Sequence, residues 1–349
     1  MRALTREIQN PKSPVYRFLA DRFGNTKEVA RQYREAAGPL RISSNGANAG
    51  TVGTAADWLL RFLLHPEPDV HLAMAGAARY VGPKMVRAVA DLATRLGAAP
   101  RPYTGGIGVA PGDAYELVLA EIADLVAVAD PGAPEQPVAF TGPVVGNDSD
   151  PELLMRGCWA LALLTEVYRA GSRALMNSPL APFYRADADS SRQQPAVTVD
   201  ELLSLASPAA LEQLAQLREV FEAILIPQLA ARAGLWALGP WFAGSRLIGG
   251  ADADLIASGL LLDLKTGLGS KRPDGTRWCS LERKDLYQLI GYALLDFTDS
   301  YQITELGLFS ARFGYCATWP IDKLLAELAG GPVDLAAARA DFEHLLKNK

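Results

Sequence analysis

The sequence contains few of the residues that most often form recognisable sites. Its 349 residues include three histidines and three cysteines. A disulfide scaffold is excluded because three scattered cysteines cannot form a framework of bridges, so we interpret Cys158, Cys279 and Cys316 as small core residues. The histidines lack the spacing of metal ligands. No Gly-Lys-Ser/Thr triplet is present, which excludes a phosphate-loop ATPase motor.

Long apolar runs are also missing. The longest, such as 158–164, fall well short of the roughly 18 residues that a membrane-spanning helix needs. The first 14 residues are charged and contain no apolar core typical of a secretory signal. We therefore expect no membrane contact and a reducing, cytoplasmic location.

Neither sign of charge dominates the sequence. The chain has 34 Lys plus Arg and 39 Asp plus Glu, a formal net charge of −5, which argues against a protein that coats nucleic acid. The charges are unevenly placed: residues 1–42 hold nine basic and four acidic residues, whereas residues 102–155 hold nine acidic residues and no Lys or Arg. We interpret the basic N-terminus as a charged helix face, with a second nucleic-acid contact as the alternative.

Hydrophobic periodicity divides the chain into two regions. Helical spacing dominates the N-terminal half, and the polar segment 185–195 is the predicted linker. Beyond a further helical stretch, the pattern predicts strands within 235–265, a helix at 285–297 and a final strand at 307–321. We predict an α-helical region over 1–195, which docks a partner or gates the substrate, and an α/β domain over 196–349.

Two apolar runs meet at Ser258–Gly259, a dipeptide suited to a two-residue hairpin turn. With this turn, Ala257 pairs with Leu260, and Asp254 lies opposite Asp263. Directly opposed residues have Cβ atoms about 4.5–5.5 Å apart. Two carboxylates at that spacing repel each other and cost desolvation energy, which a bound divalent cation would relieve.

The hairpin therefore predicts a site for Mg²⁺ or Mn²⁺. These cations take hard oxygen ligands and retain several waters, so the carboxylates of Asp254 and Asp263 with the carbonyl of Leu264 are a sufficient protein set. Asp252 lies on the same face and competes with Asp254 for the ligand role. Lys265 shares that face, where it would lower the pKa of an attacking water or stabilise charge on a phosphate.

This arrangement resembles the PD-(D/E)XK nuclease superfamily and, within it, the RecB-type exonuclease branch. The resemblance rests on three segments, GADAD at 250–254, DLKTG at 263–267 and QLIGY at 288–292. The first and last residues of QLIGY are four apart and project from one helical face. The similarity covers roughly 202–321, and it departs from the family pattern at Ala253, where proline is common.

The resemblance implies an α/β (α+β) fold with a restriction-endonuclease-like core, ordered helix, three-stranded hairpin sheet, helix and strand. It implies that Asp254 and Asp263 bind the metal, that Lys265 is the catalytic lysine, and that Gln288 and Tyr292 face the site. Several relatives hold an iron–sulfur cluster with four cysteines. We expect no such cluster here, since three isolated cysteines cannot supply that set.

A basic segment with one aromatic residue lies between the predicted catalytic strand and the following helix. Its candidate nucleic-acid contacts are Lys271, Arg272, Arg277, Trp278, Arg283 and Lys284. Cations would meet phosphates and the indole would stack on a base. The alternative is a solvated loop with an anchoring tryptophan. Arg312 is a further residue that we expect to face the substrate.

The leading hypothesis is a Mg²⁺- or Mn²⁺-dependent nuclease that hydrolyses DNA phosphodiester bonds, with a helicase or ATPase subunit as a candidate partner. The alternative is a nucleic-acid-binding or complex-assembly subunit of a DNA repair or phage-defence system, whose catalysis is weak or partner-dependent. RNA is a third candidate substrate.

Overall fold

The computed structural model describes residues 4–98, 139–141, 150–183 and 197–349. In this part of the chain the protein is mixed α/β, of the α+β type, and no helix is long and apolar enough to cross a membrane. The helices are α1 (Leu4–Gln9), α2 (Pro14–Arg22), α3 (Thr26–Ala36), α4 (Ala49–Leu64), α5 (His71–Tyr80), α6 (Pro83–Arg95), α7 (Pro151–Ala170), α8 (Ser172–Met176), α9 (Val199–Ser204), α10 (Pro208–Val220), α11 (Ile226–Ala230), α12 (Arg283–Leu295), α13 (Ile321–Ala329) and α14 (Leu335–Lys347), with a π-helical turn at Phe221–Leu225.

Two compact units make up the chain. The first contains the β-strands and comprises 1–43, 137–143 and 220–349; the second comprises 44–136 and 144–219. This division differs from the boundary predicted at 195/196. Residues 1–43 belong to the strand-containing unit because apolar side chains of α1–α3, such as Leu4, Leu19 and Tyr33, are buried in its core. The predicted linker at 185–195 lies outside the described residues.

The first unit is built on a six-stranded mixed sheet, in the order β1-β2-β3-β4-β7-β8. Neighbouring strands run antiparallel except β4 and β7, which are parallel. A separate two-stranded ladder joins β5 and β6. The strands are β1 (Ala139–Thr141), β2 (Leu235–Leu238), β3 (Leu255–Ala257), β4 (Leu260–Lys265), β5 (Ser270–Lys271), β6 (Arg277–Trp278), β7 (Glu305–Ser310) and β8 (Tyr315–Pro320).

The hairpin of β3 and β4 has the register expected from its turn. Ala257 pairs with Leu260, and Leu255 pairs with Leu262. Ser258 and Gly259 both adopt positive φ angles, 48° and 79°, as a tight hairpin turn requires. The Gly259 carbonyl also accepts hydrogen bonds from the N–H groups of residues 304 and 305, which ties the turn to the start of β7.

Helix α12 connects the parallel strands β4 and β7, because parallel neighbours need a crossover connection. Tyr287, Leu289 and Ile290 are fully buried, so the helix presents apolar side chains to the core of its unit. The predicted helix at 285–297 thus exists, shifted by two residues.

The single final strand predicted at 307–321 is wrong. The segment forms two antiparallel strands, β7 and β8, which are separated by a short 3₁₀ turn. Gly314 reverses the chain there with a φ of 60°, a conformation that favours glycine. The apolar pattern runs through the turn because Ala311 and Phe313 are buried.

The described residues of the second unit form helices and their connections. Helix α7 packs against both α4 and α5. The approach to α5 is close: a Cβ atom on Gly76 would lie 2.1 Å from the Leu164 carbonyl oxygen, so the site excludes any larger residue. Between α4 and α7, the Trp58 indole donates a hydrogen bond of 3.1 Å to the Thr165 hydroxyl.

We expect Gly259→Ala to destabilise the first unit by about 1–3 kcal/mol, since alanine at positive φ is strained. Its Cβ would also lie 2.8 Å from the Thr304 hydroxyl oxygen. Denaturant unfolding measures this change. The matched control is Gly331→Ala, where no atom lies within 4 Å of the new Cβ; equal stability losses in the two variants would contradict the turn assignment.

Candidate active site

The β3–β4 hairpin brings two of the predicted metal-ligating carboxylates together. Asp263 lies within β4 and is 2% exposed. Asp254 immediately precedes β3, and its Oδ2 accepts a hydrogen bond of 2.6 Å from the backbone N–H of Leu264. The regular ladder stops at the pair Leu255–Leu262. Beyond this pair, the Asp254 side chain bonds to the backbone of Leu264, which is the residue after Asp263. The Asp254 carboxylate therefore lies against the part of β4 that carries Asp263.

Lys265 joins this cluster from the end of β4. Its Nζ lies 2.7 Å from Asp263 Oδ2 and 3.7 Å from Asp285 Oδ1, and its side chain is 27% exposed. Burial lowers the pKa of the ammonium, but the Asp263 and Asp285 carboxylates raise it, and the net pKa lies above the ordinary value. Lys265 therefore carries a positive charge at neutral pH.

Gln288 links the lysine to Tyr292 on helix α12. Its Oε1 accepts a 3.0 Å hydrogen bond from Lys265 Nζ, and its Nε2 donates one of 2.9 Å to the Tyr292 hydroxyl. An ammonium has no acceptor, so it fixes which way the amide points: the carbonyl oxygen faces Lys265 and the NH₂ group faces Tyr292. The four-residue spacing of Gln288 and Tyr292 makes this contact possible on one helical face.

Tyr292 closes the cluster from the helix side. Its ring is 5% exposed and stacks on Phe242, with the ring centroids 5.9 Å apart. Burial raises the pKa of the Tyr292 phenol well above its ordinary value, and the carboxylates of Asp263, Asp252 and Asp254 raise it further. The structure thus joins Asp263, Lys265, Gln288 and Tyr292 by direct contacts, with Asp254 bonded to the backbone between Asp263 and Lys265.

Asp285 is a member of this cluster that the sequence analysis missed. It lies at the third position of α12, where its Oδ2 accepts a hydrogen bond of 2.9 Å from the Glu282 backbone N–H in a capping box. Its other oxygen, Oδ1, is the one facing Lys265. The spacing of Glu282 and Asp285 ahead of an apolar helix is the sequence signal for the cap. The contact with Lys265 depends on the fold.

Whether this cluster suits a divalent cation can be judged from the atoms that it offers as ligands. Within the described residues, no group of three or more His, Cys, Asp or Glu side chains stands in a metal-binding arrangement. Magnesium commonly uses one or two carboxylates and keeps several waters. Asp254 and Asp263 supply two carboxylates, and the Leu264 carbonyl follows Asp263 in the chain as a further oxygen, so the residue types present suit such an ion.

Some of the predicted nucleic-acid contacts are exposed, and others are bonded to groups of the protein itself. Lys271 and Arg272 are exposed on the hairpin of β5 and β6, which replaces the expected loop. In contrast, Arg277 Nη1 donates a 3.0 Å hydrogen bond to the Gly269 carbonyl. At the start of α12, Lys284 Nζ lies 2.9 Å from Glu282 Oε2, and Arg283 is exposed.

Trp278 and Arg312 make contacts that the sequence did not predict. The Trp278 ring is in contact with an arginine, Arg272, whose guanidinium carbon lies 5.1 Å from the ring centroid. Arg312 is 2% exposed, and its guanidinium donates to the backbone carbonyls of Ile42, Ser43 and Thr266. Arg312 therefore holds two backbone segments together instead of presenting its charge at the surface.

Comparison with known proteins gave no match: no family model, no curated protein and no solved structure matches this chain. Its function is therefore inferred from the residues of the site.

We expect Tyr292→Phe to lower the free energy of unfolding by about 1–3 kcal/mol, because Gln288 Nε2 loses its acceptor in a partly buried site. Urea unfolding measures the difference. The matched control is Tyr287→Phe on the same helix, whose buried hydroxyl has no hydrogen-bond partner among the described residues. That variant should stay within about 0.5 kcal/mol of the wild type or gain stability. Equal losses would show that the Gln288 contact contributes nothing.

Proposed function

We propose that this protein is a Mg²⁺- or Mn²⁺-dependent nuclease that hydrolyses DNA phosphodiester bonds. One observation carries the proposal: Asp263, Lys265, Gln288 and Tyr292 form a continuous chain of polar contacts, beside the carboxylate of Asp254. These residues come from separate segments, and each was singled out from the sequence for this chemistry. Such a buried charged cluster costs desolvation energy that an apolar core would avoid.

The order of elements around the cluster supports a restriction-endonuclease-like core as part of the proposal. In the first unit, α11 precedes β2 in the chain, the hairpin of β3 and β4 carries the acidic residues, and α12 and β7 follow. β2 extends the hairpin to three antiparallel strands. This order is compatible with the succession of helix, three-stranded hairpin sheet, helix and strand that the resemblance implies, and it supports that part of the proposal.

In this function Asp254 and Asp263 would hold the metal ion, with the Leu264 carbonyl and Asp252 as neighbouring oxygen donors. When bound, the ion would act as a Lewis acid on the phosphate and would lower the pKa of a water. The protein's own residues would supply position and charge. Burial of Asp263 fixes its carboxylate, and the hydrogen bond from Leu264 N–H fixes that of Asp254.

Lys265 would stabilise the negative charge that develops on the phosphate. An ammonium has three N–H donors. Gln288 accepts from one of them, and the Asp263 carboxylate pairs with the ammonium at 2.7 Å. A remaining N–H would meet a phosphate oxygen, where a preorganised cation stabilises the transition state more than the ground state. Gln288 and Tyr292 act as positioning residues in this account, because they hold the lysine without touching the reacting atoms.

Linear DNA incubated with purified protein and Mg²⁺ tests the proposal. We expect cleavage by the wild type, and losses of at least about 100-fold for Asp263→Asn and Lys265→Met, since each removes a preorganised charge from the transition state. Product formation on denaturing gels measures the rates, and EDTA should abolish them.

The matched controls are Asp322→Asn and Lys323→Met, the same substitutions at exposed positions of α13 in the same unit. They should cleave as fast as the wild type. Equal cleavage by all four variants would overturn the assigned site. Cleavage of RNA but not DNA would change the substrate class and leave the site assignment intact.

Calorimetric titration with Mn²⁺ separates the nuclease from a nucleic-acid-binding or assembly subunit, which needs no metal at this hairpin. We expect binding to the wild type and to Asp322→Asn, and a loss of at least about tenfold in affinity for Asp263→Asn, because one of two carboxylate ligands is removed. Equal Mn²⁺ affinity in all three proteins would contradict the metal site, whatever the outcome of the cleavage assay.

A further inference from the structure

Helix α3 is anchored directly beside the candidate active site. The Tyr33 hydroxyl and the Ser310 hydroxyl are 2.8 Å apart and share a hydrogen bond. Ser310 is the last residue of β7 and the strand partner of Lys265. Tyr33 is 2% exposed, so this attachment is buried. The position of α3 is therefore fixed relative to the lysine through one strand pair and one hydrogen bond.

The next residue, Arg34, reaches the basic hairpin of β5 and β6. Its guanidinium carbon lies 5.3 Å from the centroid of the Trp278 ring, and that of Arg272 lies 5.1 Å from the same centroid. The backbone of Pro39, beyond the end of α3, also pairs with Trp278. Two arginines from distant parts of the sequence thus converge on one indole. Contacts of this type are attractive because the aromatic ring face is electronegative.

The charges of these two arginines are available to a ligand. Arg34 and Arg272 are both exposed, and neither forms an ion pair with a carboxylate of the described residues. Arg272 lies near the Asp274 carboxylate, whose pKa is lowered mainly by hydrogen bonds from Thr276 and to a lesser extent by Arg272. Arg31 on the same helix differs, since Glu28 and Glu35 lie 2.5 Å and 2.6 Å from its guanidinium.

We propose that Arg34, Arg272 and Trp278 form a clamp for the phosphodiester backbone of the nucleic acid that enters the site. This inference rests on the proposed function and adds to it a contact from the N-terminal helices. In this clamp Trp278 supports the arginines instead of stacking on a base. A planar guanidinium can donate hydrogen bonds to two phosphate oxygens at once. Its contact with the indole ring orders the arginine side chain before binding, which reduces the conformational entropy lost when the phosphate binds.

The full-length Asp263→Asn protein, which keeps the surface but lacks a catalytic carboxylate, is the background for the test. Fluorescence anisotropy with a labelled DNA oligonucleotide is measured over a series of salt concentrations. We expect Arg34→Ala and Arg272→Ala each to weaken binding about 5- to 20-fold and to reduce the salt slope by about 1. Arg31→Ala, which removes a compensated charge from the same helix, should change affinity less than about twofold.

Substitutions of the indole test the supporting role. Trp278→Phe keeps a ring face for the guanidiniums and should bind nearly as well as the background, whereas Trp278→Leu should lose as much affinity as Arg34→Ala. Circular dichroism confirms that each variant is folded. The clamp is refuted if Arg34→Ala binds like Arg31→Ala, or if Trp278→Phe binds as weakly as Trp278→Leu, which would show that a ring face for the guanidiniums does not suffice.

Failure of the clamp and failure of the proposed function give different results. If the wild type cleaves DNA in Mg²⁺ while Arg34→Ala and Arg272→Ala bind normally, the clamp is wrong and the nuclease assignment stands. If the protein neither binds nor cleaves DNA, both are wrong. If the arginine variants lose binding but the wild type does not cleave, the clamp belongs to a nucleic-acid-binding subunit.

Discussion

The ion pair between Lys265 Nζ and Asp263 Oδ2 is the interaction on which the candidate site depends. Asp263 is buried in the central region of a mixed sheet, where a lone carboxylate would be costly. The lysine compensates that charge, and Gln288 and Asp285 in turn hold the lysine from α12. The polar contacts therefore join β4 to the helix that follows it. Loss of the lysine would leave a buried carboxylate without its cation, which costs more than the pair itself is worth.

The N-terminal helices complete the packing around this pair. Helix α1 contacts α12 at Gly291, where an added Cβ would lie 3.0 Å from the Leu4 side chain. Tyr33 of α3 reaches Ser310 at the end of β7. The first contact gives α12 a neighbour besides the sheet, and the second ties α3 to the strand beside Lys265, so helix and strand around the pair have defined positions. Precise placement of such residues depends on rigid elements and a packed surrounding shell.

The hairpin and its site could be predicted from the sequence because their determinants are local. The turn at Ser258–Gly259 sets the register, and the register decides which side chains share a face. Likewise, the spacing of Gln288 and Tyr292 requires a common helical face. Asp285 and Arg34 were missed because their roles come from contacts between segments far apart in the chain. The placement of residues 1–43 with the strand-containing unit was not foreseen for the same reason, since the apolar faces of α1–α3 do not reveal which core they join.

The prediction of one strand at 307–321 failed for a different, local reason. Buried residues on both sides of Gly314 extend the apolar pattern through a turn, and periodicity alone cannot distinguish a strand from two strands joined by a buried 3₁₀ turn. A glycine within an apolar run was the available signal. The turn has a structural consequence, because Arg312 within it holds the backbone of Thr266 just after Lys265.

The net charge of −5 describes the whole chain, whereas binding depends on the local arrangement. In the first unit, the carboxylates of Asp252, Asp254 and Asp263 act on the Tyr292 phenol, whereas the exposed guanidiniums of Arg34 and Arg272 lie against the Trp278 ring. In the proposed function, a polyanion would be attracted by the guanidiniums and repelled by the carboxylates. A divalent cation at Asp254 and Asp263 would remove that repulsion. Metal and nucleic acid would then each increase the affinity for the other by the same factor, because linkage between two binding sites is reciprocal.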